Sequence, residues 1–341
     1  NLANNLYYVL NKLYFKKLKK IIVTGGAGYI GSHTCKLLKK QGYDPITIDN
    51  LSTGHQSFVK WGDLIQCDIT NTTKLTNVLK KIKPLAVIHF AASCYVGESM
   101  INPVKYYYNN LLGTISLIEA MQKSNVHKLV FSSTCATYGI PATNKITENT
   151  LQKPINPYGK SKLLTEKVLK DLSLLKKINF YSLRYFNAAG ADDDLEIGEL
   201  HDPETHLIPL AIKSGYQKSY VLKVFGNDYD TPDGSAIRDY IHVNDLAIAH
   251  YLSLENLLLK NNSDFINLGS GIGHSVFDII NSLKNLGIDI KYEIHGKRKG
   301  DPPQLLADIS KAKRVLNWAP TYTIEKILHS ANEWYKKINN L

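Results

Sequence analysis

Arginine is scarce in this chain. Arg184, Arg238, Arg298 and Arg314 are the only four among 341 residues, so 37 of the 41 basic side chains are lysine. A net charge of +11 would otherwise suggest nucleic acid. Phosphate and base recognition, however, favour the planar arginine fork. The lysine excess therefore reads as solvated surface, and no nucleic-acid partner is expected. Cysteine is scarce too. Cys35, Cys67, Cys94 and Cys135 are scattered, with no Cys-x-x-Cys pair. That pattern fits free thiols in a reducing compartment, hence a cytoplasmic location, and no metal site is expected. No apolar run approaches the roughly 18 residues that span a bilayer, so no membrane association through a span is expected.

What is present describes a globular enzyme-sized chain. Hydrophobic content of 44% and charged content of 21% are ordinary. At this length the chain buries a large core and is expected to form one domain plus a smaller one.

The stretch IIVTGGAGYIG, residues 21–31, organises the rest. Ile21, Ile22 and Val23 form an apolar β-branched run without polar alternation, the pattern of a strand buried on both faces. Gly25, Gly28 and Gly31 follow at three-residue spacing, Gly26 completes Gly-x-Gly-x-x-Gly, and a helical pattern continues through Leu37 and Leu38. Strand, glycine turn and helix in this order make a dinucleotide-binding unit. The glycines permit the turn, the approach of a pyrophosphate and close helix packing, and the helix N-terminus faces the anion. A second apolar strand from Pro45 ends in Asp49, 18 residues after Gly31. A carboxylate there accepts from ribose hydroxyls and repels a 2′-phosphate, which favours NAD over NADP.

Strand and helix patterns alternate from Ile21 to about Asn187. Strands are predicted at 21–24, 45–49, 64–66, 86–89, 128–131 and 180–183. Helices are predicted at 32–40, 72–80, 103–123 and 158–175. The order implies an α/β fold with a Rossmann-type doubly wound parallel sheet and chemistry at the strands' carboxyl ends. From about Gly190 the character changes to acidic loop, short strands and glycine turns, the mark of a second, smaller α/β substrate domain. A helix is predicted at 243–254 and a buried strand at 265–268, which can rejoin the large sheet. The resulting division is an extension over 1–20, an NAD-binding domain over 21–189 rejoined by about 243–269, and a substrate domain over 190–242 and 270–341. Residues 1–20 mix apolar residues with five lysines, as an amphipathic basic helix would, and are read as a peripheral appendage.

Tyr158 and Lys162 lie four apart in PYGKSKLLTEK, just after Pro157 opens a helical pattern. Positions i and i+4 share a helix face. A tyrosine is a poor base near neutrality, with a pKa of about 10. A neighbouring ammonium and a positive nicotinamide ring in a dry site would stabilise its phenolate. In a chain with 21 tyrosines the spacing arises easily by chance. Its position after the fifth predicted strand gives it meaning. Thr134 closes that strand in FSST and completes a Thr–Tyr–Lys constellation able to relay a proton.

With these residues in place, the sequence resembles the extended short-chain dehydrogenase/reductase superfamily, and within it the UDP-galactose (UDP-glucose) 4-epimerases. The likeness runs from about Ile21 to Pro320. It is carried by TGGAGYIGSH, HFAA, VGESM, FSST, PYGKSK, LRYFNAAGA, ETHLIP, FGNDYDTPDGSAIRDYIHVNDLA and NLGSG. The resemblance implies that Tyr158 takes the proton of the sugar's 4-hydroxyl. Lys162 holds the nicotinamide ribose and depresses the tyrosine's pKa, and Thr134 occupies the family's Ser/Thr position. Cofactor contacts implied are Gly25, Gly28, Tyr29, Ile30, Gly31, Asp49, Asn50, Asp68, Ile69, Phe90, Ala91, Asn109 and Tyr185, besides the three catalytic residues. Nucleotide-sugar contacts implied are Asn187, His206, Leu207, Phe225, Arg238, Arg298, Asp301 and Leu305, again with Thr134 and Tyr158. A UDP diphosphate needs charged forks, which two of the few arginines would supply.

Two departures stand out. Cys94 and Tyr95 occupy a stretch where some members carry a lysine near the cofactor ribose. Leu305 falls where some have a bulky tyrosine beside the sugar's C2 substituent, so room for an N-acetyl group is expected. The reaction implied is the interconversion of UDP-galactose and UDP-glucose, by a homodimer. Three rival activities have different requirements. A 4,6-dehydratase needs an acid and base pair after the strand-end threonine, where Cys135 and Ala136 stand. A uronate-type epimerase or decarboxylase needs extra basic groups for a carboxylate. A non-catalytic scaffold would usually have lost Tyr158 or Lys162.

Overall fold

The computed structural model describes residues 19–143, 145–298 and 301–341. The predicted appendage lies almost wholly outside them. The large sheet has seven parallel strands. In chain order, with the helices that matter to the site, these are β1 (Lys20–Thr24), α1 (Tyr29–Lys40), β2 (Asp44–Asp49), β3 (Leu64–Gln66), α2 (Thr72–Ile82), β4 (Ala86–His89), α3 (Gly113–Lys123), β5 (Lys128–Thr134), α4 (Pro157–Leu174), β6 (Asn179–Tyr185), α5 (Val243–Lys260) and β7 (Asp264–Leu268). The spatial order is β7-β6-β5-β4-β1-β2-β3. Every pairing within it is parallel. The chain reverses its direction of travel between β1 and β4, which opens a crevice at their carboxyl ends.

The strands are where their apolar runs require. Ile21, Ile22 and Val23 are fully buried, with helices covering both faces. Two strands are longer than their apolar cores suggested. β5 continues through Ser132–Thr134 and β6 to Tyr185, because the polar residues at their ends are buried against the site. The helix starts follow local chemistry. Asn71 caps α2 by accepting from the Lys74 N–H, and Asn156 caps α4 by accepting from Gly159 at 2.8 Å, with Pro157 at the first helical position.

The single helix predicted over 103–123 is instead three pieces: a short α-turn Pro103–Tyr106, a π-helical segment Tyr107–Leu112, and α3. The wider turn has a reason in its contacts. Asn109 and Asn110, adjacent in sequence, both reach Ser93 on the loop after β4. Asn109 donates to its hydroxyl at 3.0 Å, and Asn110 accepts from its N–H at 2.8 Å and donates to its carbonyl at 3.0 Å. A regular α-helix turns successive side chains about 100° apart, and π-bulges recur at functional sites for this reason.

The remaining strands form a five-stranded mixed sheet. Ile237–His242 pairs with Gly273–Ser275, Gln304–Ala307 and Asn187–Ala189, and Gln304–Ala307 also pairs with Lys145–Ile146. A two-stranded parallel ladder joins Leu222–Phe225 to Tyr292–His295. The helices Leu207–Tyr216, Val276–Asn285 and Ile324–Asn339 pack over these segments around Ile208, Ile279 and Leu328. The second region therefore draws on three separated stretches of chain, including 145–146, which the predicted division did not place there.

Candidate active site

A cleft of about 740 Å³ lies between the carboxyl edge of the large sheet and the second region. Its floor is the glycine loop. Gly25 has φ +72°, and a Cβ on Gly31 would stand 2.2 Å from the Gly25 carbonyl oxygen, so loop and helix can close only without side chains there. A Cβ on Gly28 would stand 3.3 Å from the same Gly25 carbonyl oxygen. Gly28 precedes α1 with no side-chain cap, which leaves the first-turn N–H groups facing the cleft. Asp49, at the end of β2, is nearly buried. It accepts from Ala27 N–H at 3.1 Å and Leu51 N–H at 2.9 Å. Each carboxylate oxygen keeps a further lone pair for a ribose hydroxyl. Burial raises its pKa, while these two amides pull the other way. The open anion cradle and the carboxylate beyond it fit an adenine dinucleotide without a 2′-phosphate.

Tyr158 and Lys162 project from the first turns of α4, and Thr134 meets them from the end of β5. All three line the cleft. The Tyr106 ring packs edge-on to Tyr158 at 6.4 Å, while its hydroxyl donates to the Tyr95 carbonyl at 2.6 Å and to Glu98 at 2.8 Å. Lys162 is 3% exposed and donates to the Ser132 carbonyl at 2.7 Å. Burial pulls its ammonium down to about 8. Burial also drives the Tyr158 phenol well above its ordinary value. Tyr185 and Cys94 add to that rise, and a hydrogen bond with Thr134 opposes it. The expected depression by Lys162 is thus outweighed in the polypeptide by itself.

The cleft gathers most of the predicted residues. Gly25, Gly28, Tyr29, Ile30, Gly31, Asp49, Asn50, Ile69, Phe90, Ala91, Asn109 and Tyr185 line one part. Asn187, His206, Leu207, Arg238, Asp301 and Leu305 line the other. Asp68 stands behind the wall and holds Asn50 by accepting from its amide at 2.8 Å. Phe225 and Arg298 do not line the cleft; the Arg298 guanidinium lies 3.9 Å over the Phe225 ring. Arg238 donates to the Ile237 and Pro302 carbonyls at 2.8 and 2.9 Å, and its other nitrogen is 3.6 Å from Asp301. That arrangement holds the fork at the rim.

Several residues of the site escaped the sequence reading. Glu166, one turn beyond Lys162, is 2% exposed and pairs with Arg184 on β6 through the guanidinium Nε at 2.9 Å and Nη2 at 2.8 Å. It also accepts from Ser133 at 2.7 Å and Ser182 at 2.9 Å, so it ties α4 to β5 and β6. Asn110 donates to Ser161 at 3.1 Å and so links the π-segment to the same helix. No local motif marks either residue, since their partners are distant in sequence. A third group, Glu199, His201 and Glu204, gathers around the predicted His206, and Glu199, His201 and His206 line the cleft. Its Glu-x-His-x-x-Glu-x-His spacing was the available signal. Burial works against the charge of both imidazoles, yet Glu199 and Glu204 hold His201 up at about 9 and His206 well above its ordinary value.

A doubly wound sheet with this cradle and a Thr–Tyr–Lys set defines an enzyme that handles a nicotinamide dinucleotide. The chain belongs to the NAD dependent epimerase/dehydratase family, whose profile matches residues 21–269. It is 47% identical over 322 residues to a UDP-glucose 4-epimerase of Rhizobium meliloti, covering 94% of this chain and 98% of that one. Among solved structures it is similar to the UDP-glucose 4-epimerase of Brucella ovis in complex with NAD. That likeness has 48% identity and a TM-score of 0.90, over 93% of this chain and 98% of the other. It is also similar to the UDP-Glc/GlcNAc 4-epimerase of Campylobacter jejuni, with 41% identity and a TM-score of 0.82 over 94% and 99%.

Proposed function

We propose that this chain is a UDP-glucose 4-epimerase that interconverts UDP-galactose and UDP-glucose with tightly held NAD. The observation that carries the reading is the meeting of Thr134, Tyr158 and Lys162 in one cleft with the glycine cradle and Asp49 on one side and Arg238 on the other. The NAD, when bound, accepts and returns the hydride of the sugar's C4. Tyr158 takes the O4 proton and later gives it back, with Thr134 as the relay and Lys162 as the fixed charge. The backbone of residues 25–31, Asp49 and Asn50 hold the dinucleotide, with Asp68 acting through Asn50. Arg238 grips the diphosphate, and Asn187, His206, Leu207 and Asp301 bound the nucleotide-sugar. Phe225 and Arg298, stacked on each other outside the cleft lining, are not assigned to this binding. The hexose is held loosely enough to present either face, since binding energy is placed on the part that does not react. Against a dehydratase, Thr134 is followed by Cys135 and Ala136, neither fit to expel water from the sugar.

Leu305 in the sugar end of the cleft supports acceptance of N-acetylated UDP-hexoses as well. The division into an NAD-binding unit and a substrate unit is assigned on the same grounds, as is a cytoplasmic location suited to four free thiols. A homodimer is supported by the exposed apolar side chains Met100, Ile101, Val104, Tyr108, Leu112 and Leu164 on the segment 96–112 and on α4. The test is incubation of the purified protein with UDP-galactose and no added NAD. Formation of UDP-glucose supports the reading; no product from a folded, NAD-containing preparation overturns it.

A further inference from the structure

The loop 199–206 leads into the helix Leu207–Tyr216 across the mouth of the cleft. Within it Glu199, His201, Glu204 and His206 turn one donor atom each toward a common point, all within 4.8 Å of one another. Glu199 Oε1 is 2.7 Å from His206 Nδ1 and 3.2 Å from His201 Nδ1. The Glu204 oxygens are 3.2 Å from His206 Nδ1 and 3.6 Å from His201 Nδ1. Four ligands around a tetrahedral zinc ion, at bond lengths of about 2.0–2.1 Å, stand about 3.3 Å from each other. The observed separations bracket that spacing.

A second observation points to a ligand. The Glu199 side chain is 7% exposed, and its Oε1, aimed into the cluster, has no hydrogen-bond partner. His201 Nδ1 has none either. The two atoms approach closely without the alignment a hydrogen bond needs. Glu199 Oε1 therefore rests on ion-pair contacts with His206 and His201 alone, and a buried carboxylate oxygen without an aligned donor is rare in folded proteins. Glu204 is held in place independently: its Oε1 accepts from the Thr205 and His206 N–H groups at 2.7 and 2.8 Å, as well as from His206 Nδ1. Its Oε2 remains directed at His201.

The chain holds a second convergent group, and the contrast is informative. Asp192, Asp194 and Glu196 also gather, but the Lys36 ammonium sits at their centre at 2.7, 2.7 and 2.8 Å. Among the described residues no lysine or arginine pairs with Glu199 or Glu204.

We propose that Glu199, His201, Glu204 and His206 form a binding site for a divalent transition-metal cation of the zinc class. Two carboxylates and two imidazoles, which give up their protons on binding, match such an ion in charge, donor type and number. His201 lies edge-on to Tyr29 at 6.2 Å and to Tyr95 at 5.8 Å, so the ion would pin the loop against the first turn of α1 and the segment after β4. Its role is to clamp the cleft mouth, apart from the proton chemistry at Tyr158.

The experiment titrates zinc chloride into tag-free, NAD-containing protein that has been chelator-treated and returned to chelator-free buffer. Calorimetry and elemental analysis after gel filtration are the readouts. We expect about one zinc per chain, bound with micromolar or better affinity, and a higher thermal midpoint with zinc present. Glu199→Gln and His201→Ala should each weaken binding at least about 100-fold, and Asp194→Asn should leave it unchanged. Should His201→Ala not fold, Glu204→Gln serves in its place. Substoichiometric uptake overturns the proposal and leaves a plain carboxylate–imidazolium cluster. Zinc retained at full affinity in the Glu199 and His201 variants overturns it equally, as adventitious surface binding.

Discussion

Replacing Lys162 by methionine isolates the charge argument. The variant keeps the length of the stem and removes the ammonium. Lys162 lies one turn from Tyr158 on α4. At about 6 Å, with an effective dielectric of about 20, a unit charge is worth ~3 kcal/mol to the phenolate, or about two pH units. Burial already holds the phenol above its ordinary value, so the enzyme cannot spare that amount. The sign follows directly: losing a neighbouring cation raises the phenol's pKa, and the phenolate fraction at pH 7 falls about tenfold per unit. Turnover of UDP-galactose at pH 7 should therefore drop about 100-fold. The acidic limb of the pH–rate profile should move up by about two units, with much of the rate restored at the higher pH. Lys162→Arg, which keeps a charge, should lie between the variant and the native enzyme. The assay measures UDP-glucose by chromatography from pH 6 to 10, with NAD content checked after denaturation. A uniform loss at every pH, with the limb unmoved, would refute the reasoning and leave Lys162 as a tether.

Tyr158→Phe should retain bound NAD, read by absorbance of the released cofactor, while turnover falls by about 10²–10⁴-fold; near-normal turnover removes Tyr158 as the base. Glu166→Ala should lower stability by about 3–5 kcal/mol in urea unfolding, because it strands the Arg184 guanidinium in the core; a change under about 1 kcal/mol would mean that water reaches the pair. His89 and His242 are pulled down to about 3 and His250 to about 4 by burial, all below the unfolded value of about 6.5. The folded protein refuses protons that the unfolded chain accepts below pH 6.5, so stability should fall by ~2 kcal/mol for each as pH drops from 8 to 5. Unfolding midpoints that stay level across that range would show that these imidazoles are not held neutral.

Much of this architecture could be read locally. All six strand cores through residue 183 and the helices at 32–40, 72–80 and 158–175 announce themselves by period, and the start of the last by Pro157. The glycine turn and the Tyr158–Lys162 face depend on residues three or four apart, so spacing alone carries them. The π-segment at 107–112 was invisible, because its cause is a loop residue, Ser93, reached only in the folded chain.

What the sequence by itself determined is the order of strands and helices and the chemistry placed at their ends, since both follow from backbone geometry over a few residues. The tertiary structure decided the rest. It set the Glu166–Arg184 brace, the strand register that carries Arg238 to the cleft rim beside Asp301, and the convergence of Glu199, His201, Glu204 and His206. It also decided the proton affinity of Tyr158, because the cost of a buried charge depends on everything that encloses it and not on the residue four places along.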